Sequence, residues 1–456
     1  MKYLFLGLLA LTTLLKSTSS IAQRSAADYF EEGNTKARTG NYVGAIQDFT
    51  QVLALSPDHA PSYFNRGLSK ASLKDYRGAI SDYDKAIQIN PKEALYFESR
   101  GVCKSLQQEF SSALQDYSMA IELDPDQAKT YYNRGVSHAK LKNLRLALQD
   151  LDKALSMDPD DVPALYARGS CRQDLQEYAG SLADFTRVIE LSPKRTGAYG
   201  SRGLAKFELG DYQGAVDDFT KAMALNPDES WYHTNRGFAK NKLEDFEGAV
   251  QDYDKTLELE PNNVEAYYGR GFAKAKLNDQ AGAIKDLEMA IKVKNQYLAA
   301  PKKKSLKFWA KPEPSVGPLS LDTLNQFRKE VVVNFKIKEI SNERAEAYFL
   351  RGTSYAKSGN TKSAFKDLTR AIELSPNYSE AFYQRALIRS EWGNQQEAIL
   401  DLTTTLKLEP SFTEAYYLRG VFKLNIGLVP EGCEDLSTAG GMGYKQAYTL
   451  IASYCN

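Results

Sequence analysis

A glycine recurs at Gly33, Gly67, Gly101, Gly135, Gly169, Gly203, Gly237 and Gly271, each 34 residues after the last, and Gly352, Ala386 and Gly420 resume the spacing. A fixed internal period of this length constrains the fold more than any single motif. It excludes reading the 456 residues as two or three globular domains. The chain must instead be eleven copies of one supersecondary unit.

The other fixed letters define that unit. Twelve residues after the glycine stands Ala45, Ala79, Ala113, Ala147, Ala215, Ala249, Ala283, Ala364 or Ala398, with Ser181 and Gly432 as small exceptions. Sixteen after it comes a large residue such as Phe49, Tyr83, Tyr117, Phe185, Phe219 or Leu368. Proline follows at twenty-four, from Pro57 through Pro261 and again at Pro376 and Pro410. Small residues on facing positions let two antiparallel helices approach, aromatic rings fill the remaining volume, and proline, lacking an N–H, separates one unit from the next. The spacing therefore predicts an all-α chain of helical hairpins. A lone hairpin cannot bury its own apolar faces, so the units must stack into a solenoid.

With Tyr63, Gly67, Ala79, Tyr83 and Pro91 marking one unit, the chain resembles the tetratricopeptide repeat family over about four fifths of its length. The resemblance implies a right-handed superhelix whose first helices line a concave groove. It also implies a protein that binds other proteins or peptides rather than one that catalyses.

Two positions depart from the family pattern. Arginine precedes the glycine in ten of eleven units, as in the stretch YYNRG from Tyr131 to Gly135, and Lys or Arg stands three after it in nine. One position supplies countercharge in every unit, fifteen after the glycine: Asp48, Asp82, Asp116, Asp150, Asp184, Asp218, Asp252, Asp286, Asp367, Asp401 and Asp435. A charge pair repeated this often is architecture, whereas a ligand site would occur once or twice. Glu32 holds the arginine position of the first unit, so pairing within a unit would set it against Asp48. The expected ladder thus runs between units, Asp48 to Arg66, Asp82 to Arg100, Asp116 to Arg134 and Asp150 to Arg168, leaving only Asp286 and Asp435 without partners.

Binding is to be sought where the units differ. Three residues before the glycine stand Phe30, Phe64, Tyr132, Tyr166, Tyr268, Phe349, Tyr383 and Tyr417, interrupted by Glu98, Gly200 and Thr234. This stripe is the candidate partner-binding surface, and packing against the previous unit is its other reading. Some family members grip a C-terminal carboxylate with Lys, Asn and Arg. Asn34 and Asn65 match two such positions, but Phe30, Leu95 and Ser99 replace the basic members, so that activity is not carried over.

The expected organisation is a leader at 1–22, eight units at 23–294, a Lys/Pro-rich insert at 295–342, and three units with a capping helix at 343–456. Lys2, the apolar run from Tyr3 to Leu15 and the ending Ser20-Ile21-Ala22 read as a signal peptide. Thirteen residues span roughly 20 Å, short of a membrane core of about 30 Å. An exported chain, periplasmic or secreted, with no membrane span after cleavage is expected. In the insert, the pattern predicts a short helix over Leu321, Leu324 and Phe327 capped by Ser320, and the alternation of Val333, Phe335 and Ile337 predicts a strand for which 305–310 is a candidate partner. It reads as a hinge or as a docking element around Lys302, Lys303, Lys304, Lys307 and Trp309.

Cys103 and Cys171 lie two residues after unit glycines and read as small buried residues. Cys433 and Cys455 flank the final turn. Export favours a bridge between them, while their distances from the GGMG turn differ by about five residues, roughly 7.5 Å along a helix, which opposes it. His59, His138 and His233 are isolated, and no phosphate loop, metal-spaced Cys/His cluster or calcium loop occurs. Lys+Arg and Asp+Glu are 58 each, so no net charge steers the chain to nucleic acid. The reading is a non-catalytic scaffold without cofactor or metal that holds a protein or peptide. The alternative is an exported holdase or carrier of extended chains or glycans.

Overall fold

The computed structural model describes residues 24–299 and 345–455. The leader, the insert's Lys/Trp cluster, the Ser320 cap and the Val333 to Ile337 strand lie outside the described residues. The described residues are helical hairpins without a strand. They form two compact bodies, one of residues 24–171 and one of residues 172–299 and 345–455.

Repeat 2 shows how the letters make a hairpin. Its first helix is Ala60–Ser72 and its second Tyr76–Ile89, whose N-terminus is capped by Asp75 accepting from the Gly78 amide. Between them the chain reverses at Lys74 with φ of 64°. That left-handed residue falls seven after the repeat glycine in every repeat, at Gly40, Gly210, Gly359, Gly393 and Gly427, but also at Lys74, Gln108, Lys142, Gln176, Glu244 and Asn278. The repeat glycine serves packing instead. A Cβ on Gly67 would sit 2.7 Å from Cε1 of Tyr83, so only glycine lets the buried ring lie across the first helix. Ala79 and Tyr83 are buried, and the equivalent residues form the core of the other repeats. Each large side chain so buried contributes about 1.5 to 3 kcal/mol.

Two places depart from the regular pattern. With Asn295 in place of proline, the second helix of repeat 8 runs on through Gln280–Ala299, 20 residues against 14 in repeat 2. Repeat 9 nevertheless continues directly from repeat 8. The Tyr268 hydroxyl donates to Glu346 Oε2 at 2.9 Å, and that of Tyr355 to Glu288 Oε1 at 2.8 Å. The insert therefore leaves the stacking of these two repeats in place.

At the other end, the helix Gln446–Tyr454 packs on Val429–Gly441, and Cys433 and Cys455 are bridged with Cα atoms 5.6 Å apart. Gly440 and Gly441 belong to the preceding helix, and the reversal comes at Gly443, φ 95°. Measured from that reversal the two cysteines lie ten and twelve residues away, a mismatch of about 3 Å of helix rise, which removes the objection based on unequal distances. Cys103 and Cys171 are buried, and burial pushes the Cys103 thiol up to about 12.

Candidate functional site

The ladder is real, but its register is the opposite of the expected one. Arg100 donates from Nε and Nη2 to both oxygens of Asp116, in its own repeat, at 3.0 and 2.6 Å. Lys104 reaches the same carboxylate at 2.8 Å. The forked pairing recurs at Arg66–Asp82, Arg134–Asp150, Arg202–Asp218, Arg236–Asp252, Arg270–Asp286, Arg351–Asp367, Arg385–Asp401 and Arg419–Asp435. Asp48 to Arg66 and Asp82 to Arg100 are therefore not pairs, and Asp286 and Asp435 have partners. The close approach that the glycine allows brings the arginine before it onto the facing aspartate of the same hairpin. In repeat 1 the second cation solves the like-charge problem, because Lys36 pairs with Asp48 at 2.7 Å while Glu32 turns to Lys36 and Arg24.

The arginine does reach the preceding repeat, two residues beyond the expected aspartate. Arg100 Nη1 donates to Asp84 Oδ1 at 2.6 Å, Arg168 Nη1 to Asp152, and Arg66, Arg134 and Arg236 to the hydroxyls of Thr50, Ser118 and Thr220. The guanidinium also lies over a ring of its own helix, 5.6 Å from the centroid of Phe97 in the case of Arg100. Arg100 is thus committed on its edges and on one face, leaving little of it for a ligand. At Asp252 burial works to raise the carboxyl pKa, but the neighbouring His233, Arg236 and Lys240 outweigh it and hold the group at about 2. Forked, desolvated pairs of this kind fix geometry, and removing one member strands a buried charge.

A second set of contacts, between the first helices of neighbouring repeats, is variable. The residue three before the glycine meets residues of the following repeat. Phe64 packs on Tyr96, Phe30 on His59, Phe349 on Tyr378, Tyr383 on Phe412 and Tyr417 on Tyr444, with centroids 4.6 to 5.0 Å apart. Phe64, Tyr132 and Tyr166 are only 8, 5 and 1% exposed, which corrects their assignment as partner-binding residues. Phe30, Tyr268, Phe349, Tyr383 and Tyr417 remain half-exposed.

The residue six before the next glycine completes this seam, and the sequence reading passed over it. Tyr268 meets Glu346 there, Glu98 lies 3.8 Å from Lys129, and Gly200 lies under Trp231, where a Cβ would come within 2.5 Å of the indole. Thr234 turns inward to Ser230 and Thr256. In repeats 9 to 11 the position is Glu346, Glu380 and Glu414, all exposed, each one helical turn from Phe349, Tyr383 or Tyr417. Aligning that one offset across the repeats would have found them. Burial and the charge of Glu414 raise the Tyr383 hydroxyl pKa. Asn65 donates to Asn34 at 2.8 Å, so the two clamp-like residues hold each other.

Chemistry-bearing groups do not converge. His59 bonds Ser62 Oγ, and His138, its imidazole pKa lowered by burial, lies 4.0 Å from Asp150 in the place of a lysine. Among the described residues no group of His, Cys, Asp and Glu could hold a metal ion, and no helix is long and apolar enough to cross a membrane.

These features define a solenoid of charged, stacked helical hairpins. Sequence profiles of the tetratricopeptide repeat match residues 60–93, 106–161, 164–230, 240–278 and 345–400, and the chain belongs to that family. Among solved structures it is similar to YrrB, described as a repeat protein of this family with an unusual peptide-binding site, at 22% identity over 42% of this chain and 97% of that one, TM-score 0.38. A tetratricopeptide repeat protein from Parabacteroides merdae matches at 21% identity over 54% and 98%, TM-score 0.41. The C-terminal part of another from Cytophaga hutchinsonii matches at 22% over 53% and 98%, TM-score 0.44. No curated protein matches the chain.

Proposed function

We propose that this protein is a non-catalytic, exported scaffold that holds a protein or peptide partner along the first helices of repeats 8 to 11. One observation carries the reading. The seam is where repeats differ, and there it presents half-exposed Tyr268, Phe349, Tyr383 and Tyr417 beside exposed Glu346, Glu380 and Glu414. Rings with polar tips suit an extended chain, and the glutamates select a partner rich in Lys or Arg, speeding encounter more than deepening affinity. The ladder residues are not part of this surface, since each is spent on holding a hairpin. The export part of the proposal rests on the leader at 1–22 and expects a mature chain whose mass begins at Gln23.

The test is affinity capture from the native envelope with wild type and with a Tyr383→Ala, Tyr417→Ala double variant of unchanged helicity. Loss of one defined partner supports the proposal. Capture of the same partner at the same yield by both overturns it.

A further inference from the structure

The last helix keeps the repeat's positions while abandoning its charges. Tyr444 packs on Tyr417 at 4.6 Å as Phe412 packs on Tyr383 at 4.7 Å, and Ala447 is buried like Ala415 and Ala381. Gln446–Tyr454 thus stands where the first helix of a twelfth repeat would stand. In that alignment Ala452 replaces the glycine, Ile451 the arginine and Cys455 the second cation. A ladder aspartate would find nothing there to pair with.

Cys433 occupies a repeat position too. It lies thirteen after Gly420, as Phe365 lies thirteen after Gly352. In the interior these two positions meet across a repeat boundary, because the Arg389 guanidinium, the second cation of repeat 10, lies 5.7 Å from the Phe365 ring. The disulfide joins the same two positions two repeat boundaries further on. It stands where the boundary between repeats 9 and 10 has a cation over an aromatic ring, and it ties down a helix of nine residues, shorter than the roughly 12 to 15 that hold a helix in isolation. Both cysteines are half-exposed and within reach of a small thiol.

We propose that the Cys433–Cys455 disulfide is a redox latch on Tyr417. Oxidised, it keeps Gln446–Tyr454 seated on Tyr416, Tyr417, Val421 and Leu436. A dithiol reductant breaks the S–S bond, delivering two electrons and two protons to leave two thiols while becoming a disulfide itself. The helix then leaves, and the Tyr417 ring loses its cover. That this lengthens the partner surface by one ring rests on the function proposed above. The release itself does not.

The test therefore needs no partner. Amide hydrogen exchange of residues 444–454 and nitration of Tyr417 by tetranitromethane are followed on the full chain, oxidised and after dithiol reduction, with Tyr383 as the internal control. Exchange in the last helix is expected to rise on the order of a hundredfold, the factor that closing a loop of this size contributes. Nitration of Tyr417 should rise while Tyr383, still covered by Phe412, stays slow. A Cys433→Ser, Cys455→Ser variant with unchanged circular dichroism should behave like the reduced chain without reductant. Unchanged exchange on reduction overturns the latch, as does Tyr417 nitration that stays slow, or Tyr383 rising along with it.

Discussion

Between the two helices of a hairpin the same three charges recur in most repeats, whereas between the first helices of neighbouring repeats the contact changes from ring on ring at some junctions, those of repeats 9 to 11 among them, to charge or glycine contacts at others. Arg100, Lys104 and Asp116 could be exchanged for Arg202, Lys206 and Asp218 without changing a contact type. The seam, by contrast, joins Tyr to Glu at one junction, Glu to Lys at another and Gly to Trp at a third. Constancy under repetition marks the ladder as the part that sets hairpin geometry. Variation at a fixed geometric place marks the seam as the part free to specialise, and only in repeats 8 to 11 does it combine accessible rings with like charges.

The largest test of this contrast is to remove one member of each set. Asp116→Ala leaves Arg100 and Lys104 without their buried carboxylate and should cost about 3 to 5 kcal/mol, read by denaturant unfolding with hydrogen exchange locating the opened repeats. Glu380→Ala, on the exposed seam, should stay within about 0.5 kcal/mol. Similar costs for the two would erase the distinction. A double-mutant cycle sharpens it further, since Arg100 should couple strongly to Asp116 and not to Asp82.

Acid should find the ladder next. The Asp252 carboxyl, held at about 2, lies below its ordinary value of 3.8, so its contribution is present above that ordinary value and is lost as pH falls from about 4 to 2. The amount is about 2 kcal/mol, and Asp252→Asn should flatten that limb of the stability profile. A profile of equal steepness in the variant would show that this carboxylate is not held by its cations.

Smaller again is the hairpin turn. Lys142, φ 62°, occupies a conformation that Gly210 meets without a Cβ. Lys142→Gly should stabilise repeat 4 by roughly 1 kcal/mol, visible as slower exchange there, with no effect on partner capture. Destabilisation would mean that the Lys142 side chain makes contacts worth more than the backbone relief.

Much of the fold is legible in the sequence because glycine, alanine and a large residue at fixed offsets are direct consequences of two helices in contact. The pairing register is not, because the argument from Glu32 allows one cation per aspartate where the hairpin supplies two, and Lys36 carries the burden alone in repeat 1. The stripe divides for a different reason. Whether a ring such as Phe64 or Tyr383 keeps an exposed edge depends on what the following repeat lays over it, Tyr96 in one case and Phe412 in the other, and no single helix contains that information. The disulfide became legible only once Gly440 and Gly441 proved helical, since glycines in sequence read as a turn.

The most direct test of the division between ladder and seam is carbodiimide crosslinking of the protein with the partner proposed for it, with the joined peptides read by mass spectrometry. The reagent links carboxylates to amines at zero length. Partner lysines joined to Glu346, Glu380 and Glu414, with Asp367, Asp401 and Asp435 untouched, is the predicted result. Partner lysines joined to glutamates elsewhere, with those three unmodified, would contradict it.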